Sequence, residues 1–142
     1  MKIEQQVVSL ELAKKLKEAG YPQDDSVWVW HKEKAIVLRN YLTSLGQSGI
    51  PETGGRFIIA APSVAELGEI LPTLIIKNNT KKYLCTFHNE TTTHKDKRWS
   101  LWYGTRHNEW SATANTEANV RAVMVLYLLE QGLLKFPTHE KK

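Results

Sequence analysis

Between Thr116 and Gly132 the chain carries Ala122-Val-Met-Val-Leu-Tyr-Leu-Leu129, a run apolar on nearly every side at helical spacing. A helix with no polar face has two places to go. It sits at the centre of a core, or it turns one side to a second copy of the chain. Thr116 caps its start, Glu117 complements the positive end of its dipole, and Gly132 breaks it.

Two further helices are marked by their ends. Ser9 caps Leu10 to Ala19, with Leu12, Ala13, Leu16 and Ala19 on one face and Gly20 at the stop, and Tyr21-Pro22 prevents continuation. Ser63-Val-Ala-Glu66 matches a capping box and opens a helix to Leu71, with Val64, Leu67 and Leu71 on its apolar side. Gly68 lies near that side. An interior glycine costs a helix about 1 kcal/mol against alanine, so close packing against a neighbour is the expected reason for it.

The remaining segments alternate with the period of strands. Val27-Trp-Val-Trp30 reads as a strand, turning through His31–Lys34 into a second over Ala35–Arg39, with a short helix over Ala35–Leu45 as the rival. Gly46–Gly55 is dense in glycine and reads as a loop, followed by a short strand at Phe57–Ala60. Tyr83–His88, Arg98–Tyr103 and Asn108–Thr113 are joined by short links, which favours an antiparallel meander. In the middle strand Trp99, Leu101 and Tyr103 share one face, Ser100 and Trp102 the other. The expected fold is therefore α+β. An antiparallel sheet of four to six strands carries about three helices on one face, in the order α-β-β-β-α-β-β-β-α. One domain over 1–142 is expected, with a tail from Phe136 that frays.

A chain of 142 residues, 42% of them apolar, can bury a core without a disulfide or structural metal. Cys85 is the single cysteine, which excludes an internal disulfide and zinc sites built on paired cysteines, and it reads as a small buried hydrophobe. No membrane span or secretory signal is found, so a cytoplasmic protein without membrane contact is expected. The formal charge of +4 permits attraction to nucleic acid without demanding it.

Three blocks, Ser9–Gly20 (SLELAKKLKEAG), Ile59–Pro72 (IAAPSVAELGEILP) and Thr116–Gly132 (TEANVRAVMVLYLLEQG), together resemble a family of short proteins carried by phages, prophages and other mobile elements of gut bacteria. Gly46–Gly55 is longer than the family's pattern and reads as an insertion. The resemblance implies a mobile-element setting. It supplies no reaction and no catalytic residue.

Four constellations carry chemistry, each beside a plainer reading. His88, Glu90, His94, Asp96 and His107 include metal ligands and proton carriers, but their spacing fits no metal motif, and polar residues are ordinary in solvated loops. Lys95, Lys97, Arg98 and Arg106 flank Trp99, Trp102, Tyr103 and Trp110. That pattern suits single-stranded nucleic acid, with cations on phosphates and aromatic faces on bases, while a core-facing aromatic row explains part of it equally well. Thr53-Gly-Gly-Arg56 lacks the spacing of a phosphate loop and reads as a turn. Finally, Trp28, Trp30 and Trp102 fall out of phase with the core-facing positions and form a candidate interface for a protein partner or a second copy, the plainer reading being an apolar face covered by the glycine-rich loop. No nucleophile elbow, zinc motif, dinucleotide fingerprint or other cofactor motif is present. The expectation is a non-catalytic accessory protein acting by protein contact, with a nucleic-acid-binding module as the alternative.

Overall fold

A computed structural model describes residues 2–23, 26–32, 35–38, 58–77, 79–89, 93, 98–104 and 111–136. Among them the chain runs through α1 (Ile3–Gln6), α2 (Leu10–Glu18), β1 (Trp28–His31), β2 (Ala35–Leu38), β3 (Ile58–Ala60), α3 (Val64–Ile70), β4 (Leu74–Lys77), β5 (Thr80–His88), β6 (Trp99–Tyr103), β7 (Ser111–Ala114) and α4 (Glu117–Glu130). The α+β class and the antiparallel pairing are as expected. The strands divide between two sheets, ordered β2-β1-β3 and β4-β5-β6-β7. The Gly46–Gly55 loop, Thr53–Arg56 and the tail beyond Phe136 lie outside the described residues.

The caps act as the residue types dictate. Ser9 accepts from the Leu12 N–H, and Thr116 from the Asn119 N–H at 3.1 Å. At α3 both halves of the capping box form, the Ser63 hydroxyl accepting from Glu66 N–H and the Glu66 carboxylate from Ser63 N–H, each at 3.2 Å. Gly20 and Gly132 take φ of +100° and +72°, in the left-handed region that glycine enters most readily. At Gly68 an added Cβ would lie 3.2 Å from the Arg121 guanidinium, so the glycine admits a neighbouring α4 side chain.

Residues 35–38 pair with β1 in register Trp28↔Leu38 to His31↔Ala35, so the hairpin prevails over the rival helix there. β4 is an addition to the expected order. It pairs with β5 from Leu74↔Tyr83 to Lys77↔Thr80. That leaves a two-residue connection in which Asn79 takes φ of +62°, a left-handed conformation that asparagine tolerates well.

α4 is central, the first of the two places open to it. Ala118, Asn119, Val120, Ala122, Met124, Val125 and Leu128 are buried along its length. The apolar ones pack in one cluster with Ala13 and Leu16 of α2, Ile59 of β3, Leu67 and Leu71 of the α3 end, and Ile75, Leu101, Tyr103 and Ala112 of the second sheet. Phe136, expected to begin a frayed tail, instead meets Tyr21 edge to face at 5.3 Å and packs against this core.

Two buried amides tie the layers together. Asn119 accepts from the Ser9 N–H (2.8 Å) and donates to Asn115 Oδ1 (2.7 Å), fastening the start of α2 to the first turn of α4. Gln23 accepts from the Ala60 N–H (2.9 Å) and donates to the Tyr21 carbonyl (2.9 Å). Its carboxamide thereby occupies a backbone donor of β3 that would otherwise be buried unpaired.

Tyr103 is fully buried, and its hydroxyl donates to the Pro72 carbonyl at 2.6 Å. Burial pushes its phenol well above the usual tyrosine range, with the Arg121 charge opposing in part. The folded state therefore holds this proton more tightly than the unfolded chain. The resulting stability is fully present below the ordinary tyrosine value of 10.0 and is lost as pH rises above it. Tyr103→Phe is expected to cost about 0.5–1.5 kcal/mol at neutral pH through the lost hydrogen bond. Melting temperatures measured across alkaline pH should fall more steeply for the wild type than for this variant, and parallel curves would refute the assignment.

Candidate functional site

The register of the second sheet assigns each residue to a face, because directly paired residues point the same way. Leu84↔Tyr103, Thr86↔Leu101 and His88↔Trp99 continue into Leu101↔Ala112 and Trp99↔Ala114, and Ile75↔Lys82 adds the β4 end. Tyr103 and Leu101 of this set are fully buried, so this is the face against the core. The opposite face carries Leu74↔Tyr83, Ile76↔Lys81, Cys85↔Trp102, Phe87↔Ser100 and Trp102↔Ser111.

That outer face is apolar where water reaches it. Ile76, Tyr83 and Phe87 are 61%, 56% and 50% exposed, and Leu74, Cys85 and Trp102 lie half-buried among them. Tyr83, Cys85 and Phe87 project from alternate positions of β5, and Trp102 stands opposite Cys85 on β6. Three aromatic side chains thus share one side of two neighbouring strands. β4 to β7 contain no aspartate or glutamate, and Lys81 places a cation on this face. Cys85, expected as a buried hydrophobe, is here only half-buried. Its thiol makes long contacts of 3.8 and 3.9 Å to the carbonyls of Tyr83 and Gly104.

The expected tryptophan trio does not share one sheet. Trp102 is on the outer face of the second sheet, whereas Trp28 and Trp30 belong to the first. Trp30 packs on the main core and donates its indole N–H to the Val8 carbonyl at 3.1 Å. Val29, pointing the other way, is buried with Ile58 and Val37, so side chains on both faces of β1 are engaged. Trp28 is half-buried. Tyr83, Phe87 and Ile76 are the outer-face residues the sequence reading passed over. Alternation along Tyr83-Leu-Cys-Thr-Phe87, applied as it was to β6, would have found the first two.

Of the basic residues expected to meet nucleic acid, Lys95, Lys97 and Arg106 lie outside the described residues. Arg98 is described. Its carbonyl accepts from the Asn89 N–H (2.8 Å), which extends the β5–β6 ladder by one rung. Its Nε is buried without a hydrogen-bond partner, a cost of about 1–3 kcal/mol for an ordinary polar group and more for a charged one. His94 and His107 are likewise outside the described residues, as are Glu90, Asp96 and Trp110. His88 stacks on Trp99, ring centroids 4.2 Å apart and planes 13° apart. Among the described residues no three His, Cys, Asp or Glu side chains gather as a metal site. None of the described helices is long and apolar enough to cross a membrane.

Fold and site together define an α+β protein whose four-stranded antiparallel sheet packs one face on a central helix and leaves an aromatic face open. Comparison of the chain with protein-family models, with curated proteins and with solved structures finds no match.

Proposed function

We propose that the protein acts without catalysis, as an accessory protein of a phage or other mobile element, by applying the outer face of β4–β7 to another protein surface. The first candidate for that surface is a second copy of the chain. The exposure of Ile76, Tyr83 and Phe87 beside Leu74 and Trp102 carries this reading. Four strands about five residues long present roughly 300 Å², the size of patch that is often functional on a monomer. This is well under the ~800 Å² per partner of a standard interface, so a weak, reversible contact is expected, with dissociation constants on the order of micromolar or above. Pairing about a two-fold axis through the patch would set the two Lys81 side chains at opposite ends, where they do not repel. The mobile-element setting rests on the resemblance of the three helical blocks alone.

A second reading has its own observation. Tyr83, Phe87 and Trp102 offer flat faces on strands that bear lysine and no carboxylate, in a chain of formal charge +4. Aromatic platforms of that kind stack single-stranded bases, each worth about 1–3 kcal/mol.

One pair of measurements separates the readings. Light scattering over a wide concentration range should show mass rising toward a dimer for the wild type and staying monomeric for Phe87→Ser. Anisotropy of a labelled single-stranded oligonucleotide at low salt should show little binding. Salt-sensitive oligonucleotide binding lost in Phe87→Ser, with no self-association, would transfer the function to nucleic acid. A chain monomeric throughout that ignores the oligonucleotide sinks both self-association and the nucleic-acid reading.

A further inference from the structure

A cleft of about 230 Å³ opens at the end of the β5–β6 ladder, on a different part of the molecule from the proposed contact face. It is lined by His88, Arg98, Trp99, Asn115, Thr116 and Glu117, with Val64 and Gln5 completing the wall. We infer that this cleft binds a small molecule through a carboxylate or phosphate group, with Arg98 as the cation that receives it.

Arg98 brings to this cleft a cationic group with an unmet donor. Arg98 Nε is shielded from water and has no hydrogen-bond partner, although guanidinium is the side chain best shaped to grip an oxyanion with two parallel N–H donors. The carboxylate that lines the same cleft is already taken. Glu117 Oε2 accepts from both Arg121 Nε (3.0 Å) and Nη2 (2.7 Å), so its charge is met by a different arginine. No salt bridge to Arg98 occurs among the described residues.

The rest of the lining matches the same ligand class. Asn115 Oδ1 accepts from Asn119, which leaves its amide N–H groups to donate. Thr116 Oγ1 accepts from Asn119 N–H, and its hydroxyl proton remains to be given. Trp99, held by its stack on His88, supplies a flat apolar wall with Val64 beside it. The size sets a limit. Pockets for drug-sized ligands run from about 300 to 1,000 Å³, so this one suits a small acid or phosphate rather than a nucleotide.

The test is a titration of the nitrogen-15-labelled full chain followed by NMR, with inorganic phosphate and, separately, benzoate as probes and sodium chloride at matched ionic strength as the control. Saturable movement of the Arg98 Nε–H and Trp99 indole N–H signals is expected with at least one probe and not with chloride. Saturation by phosphate alone assigns a phosphate ligand, by benzoate alone a carboxylate, and by both the shared oxyanion chemistry. Arg98→Lys, which keeps the charge and loses the fork, should weaken binding about tenfold or more. Arg98→Gln should abolish it. No saturable movement with either probe overturns the inference, and so does affinity that survives in Arg98→Lys unchanged. The wild-type and lysine arms decide the matter even if the glutamine variant does not fold.

Discussion

Asn119→Leu is expected to lower stability by about 2–3 kcal/mol, read as a drop in the denaturant midpoint with an unchanged slope. Leucine keeps the branching of asparagine but is bulkier, so the comparison with Asn119→Asp is what isolates the hydrogen bonds. Asn119 is 8% exposed, and its carbonyl oxygen is the acceptor for the Ser9 N–H at 2.8 Å. Leucine leaves that backbone donor with no protein partner at a part-buried junction and removes the hydrogen bond to the exposed Asn115 carboxamide as well. Because Ser9 caps α2, the damage should be local before it is global. Amide exchange in Leu10–Ala13 should quicken more than in the middle of α4. Asn119→Asp keeps the acceptor and stands in the first turn of α4, where a negative charge is favoured, so it should cost distinctly less. Equal losses for the two variants would show that the Ser9 contact does not matter.

Leu101→Ala is expected to cost about 2–5 kcal/mol, the usual range for emptying a leucine site in a packed interior. Leu101 is fully buried at the centre of β6, between Thr86 and Ala112 on its neighbours. The small Ala112 beside it cannot fill the space. Phe87→Ser is the informative contrast. Phe87 is larger, but it points away from the core and is half exposed, so its loss should stay within about 0.5 kcal/mol. A large cost at Phe87 with a small one at Leu101 would mean that the sheet has been turned the wrong way round.

What could be seen in the sequence was what depends on neighbours a few residues away. Ser9, Ser63 and Thr116 announce helix starts because each cap is satisfied within three residues. Alternation assigned Trp99, Leu101 and Tyr103 to one side because strand geometry allows no other arrangement. The apolar run of α4 forced it to the centre. Features set by distant partners were not visible. Nothing near Asn119 says that it will meet Ser9, 110 positions away, and nothing near Gln23 names Ala60. β4 was missed because Leu74–Ile76 is too short for a period to emerge, although Asn78-Asn79 beyond it was a usable turn signal. Trp28 and Trp30 were grouped with Trp102 by phase alone. Phase cannot report that strands belong to different sheets, nor that the Trp30 indole reaches the Val8 carbonyl. The aromatic face emerged only when the register placed Tyr83 and Phe87 of β5 beside Trp102 of β6.

The sidedness of that sheet can be read from the chain's one thiol. Cys85 sits amid the outer face, opposite Trp102 and between Tyr83 and Phe87 along β5. A small neutral thiol reagent should label it in the native, dilute protein, and labelling should slow as protein concentration rises and the face becomes occupied. A thiol that reacts only after global unfolding, at every concentration, would place Cys85 in the interior and contradict the account.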